Sequence, residues 1–311
     1  IVARNYDGGD PVVLYDKYAD RWFISQLELS TSNKVLIAVS KTSDPTGAYY
    51  TWTFAPQPSL FPDYLKFSIW QDGYYMSANW NNAVVVFDRA AMLAGNTTIK
   101  YIVKSMPSVP ISSFFLPLPA DADGQLPPAG TPCYFFCYED DGWASGSQDA
   151  IRIYKMNTNW TTPSSTTFSY VTALPTTPFN ATFDSNLNDI PQPNTSIKLF
   201  VVSGVLHFRT QFRLWTGYNT VVMNWPIIVN TTTKQVGIRW AELRQNTSTN
   251  AWSIYQEGTF APGTDSRWMG SMAMDDYGSI GMGYSICSPS TYHGIRYTGR
   301  LATDPLGQMT V

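Results

Sequence analysis

The passage that most constrains the fold lies near the C-terminus, over residues 252–262 and 265–285. It reads as strand, loop, strand, acidic-Gly turn, strand. The middle strand interleaves small and large residues, Gly270-Ser271-Met272-Ala273-Met274. The turn Asp275-Asp276-Tyr277-Gly278 supplies residues that tolerate tight backbone angles. Residues 279–285 are again small and Gly-rich. Strands with so little side-chain bulk suit the crowded region near the axis of a β-propeller.

The same alternation of short strands and turns runs through the rest of the chain. Residues 12–16, 21–27, 34–40 and 49–54 read as four strands, with Asp44-Pro45-Thr46-Gly47 as the turn between the last two. Residues 65–70 and 74–80 flank Gln71-Asp72-Gly73, an Asp-Gly hairpin signal. One helical piece interrupts the pattern: Asp88 is a good N-cap, residues 89–94 are helix formers and Gly95 is a stop. Four short antiparallel strands make one propeller blade. The predicted fold is therefore an all-β propeller of four-stranded antiparallel blades. About five units are visible, at roughly 10–55, 60–106, 112–175, 195–245 and 250–302. They form a single domain over 1–311, either closed with five blades or part of a larger propeller.

Composition agrees and excludes several classes. Aromatic residues make up 15% and charged residues 14%, with 21 Gly and 21 Pro, as suits a turn-rich sheet protein. A net charge of −3 without a basic block argues against nucleic acid as a partner. No apolar run reaches the roughly 18 residues of a membrane-spanning helix. The chain opens on Ile1-Val2-Ala3-Arg4, which is no signal peptide and fits a processed chain or a piece of a longer one. Cys133, Cys137 and Cys287 read as buried thiols, with a bridge from Cys287 to either of the others left open. His207 and His293 are isolated, and no Cys/His spacing suits zinc. Six Asn-x-Ser/Thr sequons, at Asn96, Asn159, Asn180, Asn194, Asn230 and Asn246, lie in polar stretches and are candidate glycosylation sites of an extracellular or cell-surface protein.

Several strings are more specific. They are 9–22 (with Arg21-Trp22), 37–47, Trp240-Ala241-Glu242-Leu243-Arg244, 255–262, Arg267-Trp268-Met269-Gly270-Ser271 and 295–300. Together they resemble propeller-like regions of large secreted bacterial proteins, mostly uncharacterised, in which such a region is usually part of a longer polypeptide. That resemblance implies a propeller but no established activity, so it assigns no catalytic residue.

The chemistry is sparse. Asp121-Ala122-Asp123-Gly124 resembles the start of a calcium loop, but the twelfth position is Pro132 rather than an acid. Calcium is thus the one candidate cofactor, at Asp121 and Asp123, against a solvated acidic turn. Glu139-Asp140-Asp141 follows a predicted strand and reads as exposed, against cation binding or acid/base chemistry. The acids Asp63, Asp72, Glu139, Glu242, Glu257 and Asp265 show no spacing that pairs them for glycoside hydrolysis. Arg21, Arg239, Arg267 and Arg296 recur near the strand motifs, where an Arg beside Trp ties strands together. Trp70, Tyr74 and Trp80 surround the Asp-Gly hairpin, and exposed rings there would bind a glycan or protein. The favoured expectation is a non-enzymatic structural or adhesive module, capable of self-assembly, that presents loops to glycan or protein partners. Its rival is a carbohydrate-acting hydrolase, glycosidase or sialidase-like, with a funnel site. The two differ at the axis. A module should be plugged by Met269, Met272, Met274 and Met282. An enzyme should gather two or more carboxylates and an arginine around an axial pocket.

Overall fold

The computed structural model describes residues 8–310 except 29–32, 81, 109, 111–113, 145 and 185. It is an all-β propeller built from five antiparallel meanders. The first comprises β1 (Val12–Asp16), β2 (Arg21–Glu28), β3 (Lys34–Ser40) and β4 (Tyr49–Phe54). The second comprises β5 (Lys66–Ile69), β6 (Gly73–Ser77), β7 (Ala83–Asp88) and β8 (Tyr101–Ser105). The helix α1 (Arg89–Leu93) sits between β7 and β8. It starts where the sequence places it, because the Asp88 carboxylate accepts the Ala91 N–H at 3.0 Å.

The third meander holds β9 (Leu118–Asp123), β10 (Cys133–Glu139), β11 (Ala150–Asn157) and β12 (Thr167–Pro175). The fourth holds β13 (His207–Trp215), β14 (Tyr218–Asn230), β15 (Gln235–Asn246) and β16 (Trp252–Phe260). Their first strands pair in parallel, with Ala120 opposite Thr210 and Asp123 opposite Arg213, so the two blades share one eight-stranded sheet. The fifth has three strands, β17 (Ser266–Met274), β18 (Ile280–Cys287) and β19 (Gly294–Arg300).

One boundary differs from the sequence reading. Residues 252–260 pair with β15 and complete the fourth blade rather than opening the fifth. The reason is local. Asn246 accepts the N–H groups of Ser248 and Thr249, closing a tight turn that returns the chain beside β15. Trp252 then buries its ring against Tyr134 and Phe136 of β10. The segment 197–202 forms no strand of its own and makes only an isolated bridge, Leu199 with Ile190.

Apolar cores lie between successive blades. Phe23, Val39, Phe67, Tyr74 and Phe87 fill the space between the first and second. Phe135, Tyr138, Phe212 and Trp225 belong to the large core through the middle of the molecule. Val222, Ile238 and Trp240 meet Met272, Met282 and Tyr284 between the fourth and fifth. The outward face of the fifth blade is open: Ile295 and Tyr297 are 77% and 83% exposed. The small-residue strands therefore serve two purposes. Gly270 is needed for close packing, since a Cβ there would fall 2.2 Å from Asn224 Oδ1. Gly281 and Gly283 instead face open space, which corrects their expected place near the axis.

Trp70, Tyr74 and Trp80, expected as exposed binding rings, are buried. Trp70 donates to the Thr131 carbonyl at 3.0 Å and Trp80 to that of Ala83 at 2.7 Å. Tyr74 donates to Asp16 at 2.8 Å. Both faces of β6 are covered by neighbouring blades, so alternation exposes neither side. The three cysteines are free and buried.

Candidate functional site

β9 and β13 run in parallel, and their polar residues gather along the seam between them. In β9, Leu118, Ala120 and Ala122 enter the central core, so the alternation turns Asp121 and Asp123 to the other face. In β13, Phe212 enters the same core while Gln211 and Arg213 turn away from it. The parallel register sets Asp121 beside Gln211 and Asp123 beside Arg213.

The result is a charged cluster to which all five blades contribute. Arg209 spans both carboxylates: Nη1 lies 3.1 Å from Asp121 and Nη2 2.8 Å from Asp123. Asp121 also accepts the Ile69 N–H of the second blade at 2.9 Å. Asp123 is further held by Lys17 of the first blade, by Gln211, and by the Gly124 N–H at 2.7 Å. Gln211 clasps the fifth blade by accepting the Met274 N–H at 2.5 Å and donating to its carbonyl at 3.1 Å. Arg213 donates to the same carbonyl at 3.1 Å and pairs with Asp276 in the β17–β18 turn.

These surroundings push the two carboxyl groups apart. Burial raises Asp121, and the Arg209 charge with the Ile69 N–H reverses only part of that. Burial acts the same way on Asp123, but hydrogen bonds from Lys17, Gln211 and the Gly124 N–H, with the Arg209 charge, outweigh it. Asp123 is held well below the usual carboxylate range. The Tyr18 hydroxyl is buried, has no hydrogen-bond partner among the described residues, and is kept neutral by burial and by the charges of Asp123 and Asp121.

Two concavities open beside the cluster, and Asp123 lines the second of them. An open-mouthed cavity of about 790 Å³ is lined by Lys17, Tyr18, Gly124, Arg213, Trp215 and Asp276 among others. A trough of about 420 Å³ starts at Asp123 and Gln211 and runs over Gly281 to Tyr297.

The methionine plug is thus corrected. Met272, Met274 and Met282 pack between the fourth and fifth blades, and Met269 is 41% exposed. The calcium loop at Asp121 and Asp123 is corrected as well. Both lie on a strand, and guanidinium, ammonium, amide and N–H groups already occupy their oxygens. Glu139 is paired with Arg152 at 2.6 and 2.7 Å. Asp140 and Asp149 accept backbone N–H groups of Gly142 and Phe179, so they brace loops. Glu257 is held by Arg239 at 2.7 Å and Glu242 by Arg244 at 2.9 Å. Asp72 hydrogen-bonds Tyr75, and burial pushes it up to about 6. Arg21, Arg267 and Arg296 donate to backbone carbonyls near themselves. The arginines that converge are Arg209 and Arg213, whose i, i+4 spacing in a strand puts both on one face. All six sequon asparagines are exposed.

Neither a family model nor a curated protein matches the chain. Solved structures do, at low identity. An endo-arabinase from Bacteroides thetaiotaomicron aligns over 98% of this chain and 97% of its own, at 13% identity and a TM-score of 0.37. An α-L-arabinanase from Cellvibrio cellulosa, solved with arabinohexaose, aligns over 97% and 94% at 15% identity and a TM-score of 0.37. NanB sialidase from Streptococcus pneumoniae aligns over 89% of this chain and 36% of its own, at 9% identity and a TM-score of 0.47. The likeness to propeller regions stands, but these structures are named enzymes rather than uncharacterised proteins. Carboxylates and arginines gather where a plug was expected, so the expectation of a non-enzymatic structural or adhesive module is corrected.

Proposed function

We propose that this protein is a carbohydrate-acting hydrolase whose reaction centre is the axial cluster around Asp123. One observation carries the reading: two neighbouring carboxyl groups, pushed in opposite directions by their surroundings and bridged by Arg209, stand at the head of an open trough that Asp123 lines. Glycoside hydrolysis uses such a pair, one ionised and one protonated, roughly 5–10 Å apart. Two positions apart on one strand, Asp121 and Asp123 have Cα atoms about 7 Å apart. Pairs of groups pushed in opposite directions separate base from acid. In this reading Asp123, whose side chain keeps 22% of its surface, is the ionised group that meets developing positive charge on the sugar once Lys17, its most exposed partner, gives way. Asp121, which burial pushes up, stands behind it, and Arg209 fixes their spacing. Tyr18 lines the neighbouring cavity beside Lys17. The same proposal puts the protein outside the cell, where polymeric glycans are met.

Release of reducing sugar from a panel of plant, bacterial and animal glycans tests this. Activity should appear on at least one glycan and fall about a thousandfold or more in Asp123→Asn with the far-ultraviolet spectrum unchanged. An Asp123→Asn protein as active as the parent, or a parent inert across the panel, removes the proposal.

A further inference from the structure

We propose that the axial cavity selects a glycan bearing a carboxylate, such as a hexuronate unit, and that Asp276 occupies the carboxylate position when no ligand is bound. The inference rests on the hydrolase reading for its choice of a glycan, but its chemistry comes from the cavity wall. Arg213 is the guanidinium of that wall, with its side chain only 9% exposed. Its Nη1 is committed to the Met274 carbonyl at 3.1 Å and stands 3.7 Å from Asp123. Its Nη2 meets the Asp276 carboxylate. Lys17, on the same wall, has a side chain 40% exposed.

Asp276 differs from the other acids of the cluster. Its side chain is 81% exposed and sits in the tight β17–β18 turn, whereas Asp121 and Asp123 are 3% and 22% exposed. An ion pair with so exposed a carboxylate contributes little and is readily exchanged. Arg213, by contrast, is largely desolvated, and a planar guanidinium binds a carboxylate more strongly there than in water. A ligand carboxylate can therefore take the place of Asp276 without leaving Arg213 unpaired. The turn keeps its shape without the Asp276 side chain, since the Asp275 carboxylate accepts the N–H groups of Tyr277 and Ser279 at 2.8 and 2.9 Å, so a change of rotamer at Asp276 suffices to release Arg213. Trp215 gives the cavity an aromatic wall beside Arg213. Cation and ring together suit a sugar with one apolar face and one acidic substituent.

The test compares binding of tri-galacturonate and of the uncharged galactose trisaccharide by calorimetry at low salt, in the parent and in Asp276→Asn. Asp141→Asn is the control, because it removes an equal charge from the β10–β11 loop at the opposite end of the molecule. The parent should bind the acidic trisaccharide about tenfold tighter or more. Asp276→Asn should tighten the acidic ligand by a further two- to fivefold, roughly the worth of an exposed ion pair, and leave the neutral one unchanged. Asp141→Asn should change neither by as much. Equal affinity for the two trisaccharides overturns the proposal. So does an Asp276→Asn protein that leaves acidic binding unchanged or tightens both ligands alike. Hydrolysis is scored separately. Selective binding without cleavage removes the hydrolase reading and keeps this inference, while cleavage confined to neutral glycans does the reverse.

Discussion

His207 couples this fold to pH in a way that can be measured directly. It lies in β13, 2% exposed, and its imidazole is within 3.2 Å of the Val202 carbonyl through Nε2. That contact assigns the neutral tautomer with the proton on Nε2. Nδ1 has no partner among the described residues, so protonation would bury an N–H with nothing to accept it. Burial pushes the imidazole from 6.5 down to about 4, and the Val202 carbonyl offsets this only in part. Between those values the unfolded chain binds a proton that the folded chain does not, so stability rises with pH across the window. Stability is fully present above about pH 6.5 and is lost progressively as the pH falls toward 4. One pH unit within the window is worth about 1.4 kcal/mol, which gives about 2 kcal/mol at pH 5 and about 3 kcal/mol at the lower end. The assay is urea unfolding of the parent and of His207→Gln at pH 7.5 and pH 5. Glutamine retains an N–H for the Val202 carbonyl, and carboxylates common to both proteins cancel in the difference. The parent should lose about 2 kcal/mol more than the variant between the two pH values. Equal losses, or a larger loss in the variant, refute the account of a neutral, half-satisfied imidazole.

Two further outcomes follow from the packing. Asp16 is fully buried and holds the Arg89 guanidinium at 2.6 and 2.9 Å, so Asp16→Asn leaves a buried cation without its partner. The expected cost is about 3–5 kcal/mol, seen as a lower urea midpoint with an unchanged slope. Gly270→Ala should cost about 1–3 kcal/mol because its Cβ meets Asn224, whereas Gly281→Ala, with open space around it, should be neutral or stabilising by up to about 1 kcal/mol. Thermal melts of the two variants that coincide would contradict the open outer face of the fifth blade.

Strand period and turn chemistry made most of the architecture legible. Asp88 and Gly95 bracket the helix because capping is a contact within one turn. The first two blades fall where alternation and the Asp44–Gly47 and Asp72–Gly73 turns place them, since each strand pairs with its chain neighbour. The exchange of 252–260 between blades was not legible, because a strand carries no local mark of the sheet it joins. The aromatics of the Asp-Gly hairpin were misread for a related reason. Alternation identifies opposite faces but not whether both are covered, and β6 lies between two blades.

The axial site shows the same division. Asp121 and Asp123 stood out in the sequence through their spacing, but as calcium ligands, because an acidic pair before Gly looks identical in a loop and at the end of a strand. Arg209 and Arg213 lie 86 and 90 positions further along the chain, and no local pattern links them to the aspartates. What the sequence determined by itself was short-range: strand period, turns, one capped helix and a low charge suited to sheets. Only the tertiary structure decided the charges at the axis. The parallel pairing of β9 with β13 is a long-range register, and it alone turns a suspected cation site into a carboxylate pair spanned by arginine.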